Sequence, residues 1–274
     1  MTSTQLWTWK TSQDRPFLTC DLLPVAHGFF TSPFYPDGPD ALVAVLDADS
    51  DPEITVHRVK QIHSASVLTP TEISRATSAG LPELADGSPA PFPLADGVVS
   101  DRLGQSVWAC SADCTPALIA DVKTGRVAAV HAGWRGTAQK ILPAAILRLQ
   151  EQDSQLADLR VALGPAIEGT VYQVKREVAA AVGATVLPER QGCSDDEIVE
   201  FLLTIHDSPL LHDTEENRVR LDVRRINQMQ LMQMGLALEQ IAIAPHCTYQ
   251  EPERFFSYRR TQEKKVQWSG IISQ

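Results

Sequence analysis

The most regular pattern of apolar positions lies between residues 107 and 130, where three short apolar runs alternate with turn residues. These runs predict three strands, Val107–Cys110, Ala117–Asp121 and Arg126–Val130. The segment 122–125 is a hairpin turn signal, and a hairpin returns the chain to the edge where it started. Cys114, before the first arm, and His131, after the second, should therefore lie at one sheet edge. At roughly 3.3 Å per strand residue, a small register offset still lets their side chains converge.

Weaker patterns predict further strands and loops. Alternation of apolar positions, which is typical of strands, occurs in Ala41–Leu46 and Ile54–Val59. A continuous apolar run predicts a buried strand over Ile241–Ala244. Residues 70–93 are rich in Pro, Ser, Gly and Ala, which favours loop, and residues 184–220 are acidic and irregular, which favours a peripheral position.

Helical spacing of apolar residues predicts three helices. The first covers residues 136–149, with Pro143 either at a kink or in the first turn. The second covers residues 172–182 and ends before a glycine. The third covers residues 222–234, with Asp222 at the N-cap and a glycine after its end.

Composition narrows the classes of protein that the chain can belong to. With 274 residues and 43% hydrophobic content, it can form one large α/β domain or two small ones. A net charge of −10 disfavours nucleic acid or an anionic membrane as the main partner, although it leaves room for a local basic pocket. Five unevenly spaced cysteines, an amino terminus without a signal-type apolar region and the lack of any membrane-length apolar run predict a cytoplasmic protein.

Three short segments carry the types of ligand that zinc prefers. His63, Cys114 and His131 together offer two imidazoles and one thiolate, and three protein ligands leave the fourth tetrahedral position open for water or substrate. The small residues that follow His131 would let a ligand approach closely. The alternative is a buried small cysteine and two hydrogen-bonded loop histidines.

The segment 255–260 joins aromatic surface to two guanidinium groups. The sequence Phe-Phe-Ser-Tyr-Arg-Arg suits a heterocyclic base beside a phosphate or a ribose. A terminal strand with solvated arginines is the alternative interpretation.

Taken together, these segments resemble the laccase-domain family, also described as multicopper polyphenol oxidase-like, peptidoglycan-editing or purine nucleoside phosphorylase proteins. The resemblance covers most of the chain and rests on ordered motifs. They are His27–Thr31, Gln61–His63, Ala95–Gly97, Ala112–Pro116, His131–Gly136, Leu163–Ile167, Leu221–Arg224 and Phe255–Arg260.

The resemblance implies both a fold and a reaction. It implies an α+β (mixed α/β) fold of packed mixed β-sheets flanked by helices, in α/β/β/α-like layers, as a single domain over residues 1–274. It also implies that His63, Cys114 and His131 bind Zn²⁺ at the active site; the small number of histidines disfavours copper. The implied reactions are phosphorolysis of adenosine, inosine and methylthioadenosine, and deamination of adenosine.

On this basis we assign roles to the neighbouring residues. Arg135 and Arg259 are the candidates for phosphate or ribose contact, and Tyr258 or Phe256 for stacking on the base. Asp113 adjoins a ligand and is expected to support it as a neighbouring carboxylate.

The chain also departs from the family pattern. Ser64 replaces a glycine that usually follows the motif histidine. After Arg260 the usual Thr-Gly-Arg ending is absent, so Lys264 or Lys265 would have to replace that arginine as point charges.

Three other functions remain open. Cys114 activated by His131 would make a cysteine hydrolase or amidase that edits peptidoglycan precursors. A copper polyphenol oxidase needs a histidine-rich trinuclear cluster and a blue-copper site, but the chain has seven histidines and no His-Cys-His tract. A non-enzymatic, zinc-stabilised binding module would normally bring a fourth ligand.

Overall fold

The apolar runs form strands in three sheets, as seen in a computed structural model that describes residues 6–47, 54–84, 86–190 and 192–274. The first sheet is antiparallel except for the pair β4–β7. In spatial order it contains β1 (Trp7–Ser12), β2 (Arg15–Cys20), β3 (His27–Phe30), β15 (Gln267–Ile272), β7 (Gln105–Ser111) and β4 (Thr55–His57).

The second sheet is also mixed, with parallel pairs at both of its edges. In spatial order it contains β14 (Ile241–Ile243), β10 (Leu159–Leu163), β8 (Thr115–Asp121), β9 (Val127–Ala132), β6 (Gly97–Val99) and β5 (Val67–Leu68). A third, small antiparallel sheet contains β11 (Gln173–Lys175), β13 (Arg218–Leu221) and β12 (Leu210–His212).

Eight α-helices connect these strands within the described part of the chain. They are α1 (Pro39–Leu46), α2 (Pro70–Ala79), α3 (Trp134–Ala138), α4 (Ile141–Gln150), α5 (Arg176–Gly183), α6 (Asp195–Thr204), α7 (Val223–Gln233) and α8 (Tyr258–Thr261). Short 3-10 turns lie at Ser32–Phe34, Leu156–Asp158, Ala184–Val186, Pro188–Arg190 and Leu238–Gln240.

The first and second sheets pack face to face over one apolar core, because alternate residues of their strands point inward. Phe29 and Val107 of the first sheet meet Leu118 and Ala129 of the second in this core. Helices α4 and α7 cover the outer face of the second sheet, and α1 covers that of the first. The predicted α/β/β/α layering is therefore confirmed, whereas the single domain over residues 1–274 stays a prediction.

The predicted hairpin is confirmed, and the predicted helix over residues 222–234 is confirmed with its cap. Pro116 pairs with His131 across β8 and β9. The Asp222 carboxylate accepts hydrogen bonds from the backbone N–H groups of Arg224 and Arg225 at the start of α7.

The alternating run Ala41–Leu46 is helix α1, so the strand-like interpretation of this run is wrong. Gly38, with extended backbone, precedes Pro39 at the first helical position, a sequence that starts helices. Leu42 is then buried against the first sheet. Six residues are too few for alternation to distinguish a strand from one face of a short helix.

Two segments are more ordered than their composition indicates. Helix α2 lies within residues 70–93, where the Thr69 hydroxyl and the Glu72 carboxylate form a capping box. Residues 184–220 contain α6, β12 and most of β13 and bury Val199 and Leu202 in one apolar cluster with α5, so the interpretation of this segment as irregular is wrong. The cluster is separate from the core between the two large sheets, and the peripheral position stays a prediction. Burial of an apolar stripe outweighs the acidic composition here.

The other two predicted helices have different boundaries in the structure. The helix over residues 136–149 is divided into α3 and α4 by Lys140, whose backbone is left-handed (φ 60°). Pro143 falls in the first turn of α4, one of the two expected positions. The helix over residues 172–182 starts only at Arg176, because Gln173–Lys175 pairs with β13.

Two connections between the first and second sheets lead directly to the candidate site. The turn between β7 and β8 carries Cys114, and the longer connection from β4 to β5 carries His63. His131 lies near the end of β9 in the second sheet. The sandwich thus places all three side chains at one of its ends.

Candidate active site

The loop that carries His63 is held against the first sheet by a side-chain amide. Gln61 Oε1 accepts a hydrogen bond from the backbone N–H of Cys110, and Gln61 Nε2 donates to the Cys110 carbonyl, both at 2.8 Å. The Gln61 side chain therefore pairs with β7 as a neighbouring strand would. His63, two residues on, has a left-handed backbone (φ 63°), which turns the chain sharply at the site.

His63, Cys114 and His131 come together as one group. One donor atom from each lies within 4.8 Å of the other two, and the two imidazole rings lie 4.9 Å apart at 81°. Tetrahedral bonds of about 2.0–2.3 Å to zinc require donors about 3.3–3.8 Å apart, so an approach of about 1 Å would bring the group to coordination distance. Among the described residues, no other group of three or more His, Cys, Asp or Glu side chains has such a geometry. The donor set fits a divalent metal with an open position.

Close packing at Gly133 explains the small residues after His131. A Cβ atom at this position would lie 2.8 Å from Cys114 Sγ and 3.3 Å from His63 Cδ2. Only glycine lets the start of α3 approach both side chains without displacing them.

Asp96 organises two of the three donors and was not assigned a role from the sequence. Its carboxylate lies 2.9 Å from His131 Nδ1, and it also accepts hydrogen bonds from the backbone N–H groups of His63 and Ser64. A proton on His131 Nδ1 leaves Nε2 free as a ligand. The motif Ala-Asp-Gly in the family resemblance marks Asp96 as a candidate functional residue. Nothing in its local sequence, however, shows that Asp96 contacts His131.

Electrostatics favour a thiolate at the site. Burial alone would raise the pKa of the Cys114 thiol, but the charge of His131 and hydrogen bonds from His131 and His63 lower it to about 6. Burial alone would likewise lower the pKa of His131, but the Cys114 thiolate and Asp96 raise it. Without a metal the two residues therefore form a thiolate–imidazolium pair near neutral pH.

A cavity of about 780 Å³ opens onto the three donors. Its walls carry many cations and aromatic rings. The cations are Arg58, Lys60, Arg135, Arg259, Lys264 and Lys265, and the rings are those of Phe92, Trp134, Tyr172, Tyr258 and Trp268. An acidic protein thus has a basic, aromatic cavity of the size that small-molecule ligands occupy.

The two predicted anion-binding arginines both line this cavity. The Arg135 guanidinium stacks on the Trp134 ring at 4.4 Å, and the Arg259 guanidinium lies 4.8 Å from the centroid of the Tyr172 ring. Arg259 Nη1 also donates to the Gln173 carbonyl, which fixes the side chain on β11. Tyr258 lines the cavity and is half exposed.

Two predicted site residues have other contacts. Phe256 is not among the cavity-lining residues and packs edge-on against Tyr35, 5.5 Å away. Asp113 accepts hydrogen bonds from the Thr248 hydroxyl and from the backbone N–H of Arg259, both at 2.7 Å. Its carboxylate therefore positions Arg259, while Asp96 has the contact to a candidate ligand that was expected of Asp113.

Cys110 lies in the cavity wall but outside the group of donors. Burial raises the pKa of its thiol to about 12, which keeps it protonated. The interpretation of Cys110 as a packing residue is consistent with this environment.

The sandwich and its His/Cys/His group define a mixed α/β protein with a candidate metal site. The family model described as multi-copper polyphenol oxidoreductase laccase matches residues 41–273. The chain therefore belongs to this family, which confirms the resemblance seen in the sequence.

Proteins similar to this chain are named for two enzymatic activities. The purine nucleoside phosphorylase slr1573 of Synechocystis sp. is 50% identical over 269 residues, which cover 98% of this chain and 97% of that protein. An adenosine deaminase from an unknown prokaryotic organism is 26% identical over 204 residues, 73% of this chain and 68% of its own. These relatives indicate an enzyme of that general kind.

A solved structure shares the fold. The crystal structure of YlmD from Geobacillus stearothermophilus has a TM-score of 0.72 at 22% identity, over 97% of this chain and 98% of that one. Among the described residues, no helix has both the length and the apolar character needed to cross a membrane.

Proposed function

We propose that this protein is a zinc-dependent purine nucleoside phosphorylase that acts on adenosine, inosine and methylthioadenosine and also deaminates adenosine. The observation that carries the proposal is the convergence of His63, Cys114 and His131 at a cavity lined by guanidinium groups and aromatic rings. The similarity to a relative named purine nucleoside phosphorylase supports it.

Zinc is the metal that best suits the donors. One thiolate and two imidazoles are its preferred ligands, and Asp96 orients His131 as carboxylates commonly do behind zinc-bound imidazoles. Bound there, zinc would supply a Lewis acid that lowers the pKa of a water molecule toward about 7, which suits deamination.

Copper fits the family's description but not the arrangement of histidines. The described part of the chain holds all seven histidines, and only His63 and His131 belong to the group of donors. A trinuclear copper cluster needs many more imidazoles in one place.

Phosphorolysis requires an anion to reach the ribose carbon as the base leaves. An oxygen of phosphate forms the new bond to C1′, the bond from C1′ to the purine nitrogen breaks, and the base takes that electron pair and a proton. Arg135 and Arg259 would bind the phosphate, since neither guanidinium forms an ion pair with a described carboxylate. Asp113 keeps Arg259 in place through its backbone N–H.

Aromatic side chains would hold the purine. Tyr258 offers a half-exposed ring at the cavity, and Tyr172 lies beneath Arg259. Burial raises the pKa of the Tyr172 phenol to about 12, so it keeps its proton and can donate a hydrogen bond. We assign base stacking to Tyr258 rather than to Phe256, because only Tyr258 lines the cavity.

The direct test follows the products of inosine and phosphate with the purified protein, with and without a chelator. Hypoxanthine and ribose 1-phosphate should form, their formation should stop on chelation, and zinc should restore it. Adenosine should yield inosine under the same conditions. Equal hypoxanthine formation by Cys114→Ala would contradict the proposal, because this variant lacks one of the three donors.

A cysteine hydrolase or amidase that edits peptidoglycan precursors is a second candidate. The specific observation in its favour is that the Cys114 thiolate lies beside the His131 imidazole, which the Asp96 carboxylate in turn orients. This is the arrangement of a catalytic triad. Activity toward amide substrates that survives complete removal of metal would support it. Protection of Cys114 from iodoacetamide by zinc would favour metal ligation.

A further inference from the structure

One part of the cavity wall is formed by residues outside the candidate metal group and has no part in the proposed reaction. We call it the distal wall and define it by Arg58, Lys60, Phe92, Cys110 and Trp268. Cys110 and Trp268 face each other directly across β7 and β15, so their side chains share one face of the first sheet. Arg58 follows β4 on the same sheet.

The Arg58 guanidinium packs against two aromatic rings. Its guanidinium carbon lies 4.5 Å from the centroid of the Phe92 ring and 5.5 Å from that of Trp268. Its carboxylate partner, Asp40, lies 3.7 Å away and is 77% exposed, which makes a weak ion pair. Rings that occupy the planar faces of a guanidinium leave its N–H edges for an anion.

Among the described residues, neighbouring carboxylates balance little of the positive charge of the distal wall, since only the weak Asp40 contact reaches Arg58. Lys60 is half-buried and lies within 4 Å of no described carboxylate. Of the two acidic residues in the cavity, Asp113 is hydrogen-bonded through both oxygens and Glu263 pairs with Lys265 at 2.9 Å. Partial removal of an unpaired cation from water costs free energy. A bound anion would offset this cost by pairing with the cation.

Cys110 adds no negative charge to this wall. Burial raises the pKa of its thiol to about 12, so the thiol is neutral beside Arg58 and Lys60. The wall therefore combines two cations, two rings and a neutral thiol, which suits a phosphate group attached to an organic ligand.

We propose that the distal wall is an anion subsite that binds the 5′-phosphate of a nucleoside monophosphate. This proposal rests on the proposed function and widens its substrate class from nucleosides to nucleoside 5′-phosphates. Arg135 and Arg259 lie on α3 and α8, so the cavity has separate cations for the attacking phosphate. The reaction stays balanced: the base leaves C1′, phosphate takes its place, and the sugar product is ribose 1,5-bisphosphate.

The test compares the binding of inosine 5′-monophosphate and inosine by calorimetry, in phosphate-free buffer of fixed ionic strength. Inosine 5′-monophosphate should bind roughly tenfold more tightly, as one charge-assisted site allows. In the double variant Arg58→Gln/Lys60→Gln the ratio of the two dissociation constants should fall to about one. Lys123→Gln, at an exposed lysine in the β8–β9 turn, should leave the ratio unchanged.

The outcomes separate the alternatives. Equal binding of the two ligands by the unmodified protein would overturn the subsite, as would a ratio that the double variant retains. Loss of all inorganic phosphate binding in the double variant would also overturn it, because the distal wall, rather than Arg135 and Arg259, would then bind the free co-substrate. If the double variant does not fold, Lys60→Gln alone should still lower the ratio. Binding is measured without turnover, so a failure of inosine phosphorolysis would contradict the proposed function and leave this result intact.

Discussion

The Asp96 carboxylate lies 2.9 Å from His131 Nδ1 while it holds the backbone of the loop that carries His63. One buried side chain thus sets the tautomer of one candidate ligand and the position of another. Hydrogen bonds to the Asp96 carboxylate outweigh burial and keep its pKa below the usual range, so it is ionised at neutral pH.

Asp96→Asn should weaken zinc binding by roughly 10–100-fold, because the amide removes the charge that orients and polarises His131. Competition with a chromogenic chelator measures the change. Asp195→Asn, at an exposed position in the first turn of α6, serves as the matched control and should bind zinc as the unmodified protein does. Equal affinities for both variants would show that Asp96 has no effect on the metal.

Gly133→Ala should disturb the donor group directly. The new methyl group would lie 2.8 Å from Cys114 Sγ, so the sulfur or α3 must move, at a cost of about 1–3 kcal/mol in unfolding free energy. We expect weaker zinc binding and lower phosphorolysis. Gly38→Ala is the control, because its methyl group would meet only Arg58, at 3.7 Å. Denaturant unfolding and zinc titration of both variants check the prediction.

The metal-free protein should react with iodoacetamide at Cys114 and not at Cys110. The lowered pKa of about 6 means that this thiol is ionised above that pH, so its alkylation rate should rise through about pH 6 and then level off. Cys110, with a pKa raised to about 12, is an internal control that stays unmodified. Peptide mapping by mass spectrometry identifies the modified residue. Equal labelling of the two cysteines, or no effect of zinc on labelling, would contradict the assignment of Cys114 as a ligand.

Asp113→Asn should raise the KM for phosphate more than it changes kcat, because Asp113 fixes the backbone of Arg259. The loss of charge-assisted hydrogen bonds to Thr248 and Arg259 should also lower the unfolding free energy by about 1–3 kcal/mol. Steady-state kinetics with varied phosphate measure the first effect. Thr248→Val, which removes one of these hydrogen bonds, should show a smaller change in the same direction. A fall in kcat alone would indicate a different role.

The parts of the site that local patterns encode could be predicted from the sequence. The turn signal between two apolar runs predicts the hairpin, and the hairpin brings Cys114 beside His131. The layered fold and the position of His63 came from the family resemblance rather than from periodicity. No local pattern could show that the Gln61 side chain pairs with β7, because that contact joins residues 49 positions apart.

The parts that the sequence could not predict depend on tertiary packing. Ala41–Leu46 becomes a helix because Leu42 can pack on the outer face of the first sheet. Asp113 and Asp96 are both acidic residues near motif positions, and only the folded chain distinguishes which one faces His131. Asp113 is directed by Thr248, which lies 135 residues away.

The candidate donors lie where the polypeptide passes between the two halves of the sandwich: His63 and Cys114 on crossing connections, and His131 within the second sheet. A captured ion would therefore act as a removable cross-link between the layers. By mass action, any species that binds only the native state raises resistance to unfolding. Metal supply would then govern the lifetime of the folded molecule as well as its chemistry, and newly synthesised, metal-poor copies would be the most easily degraded.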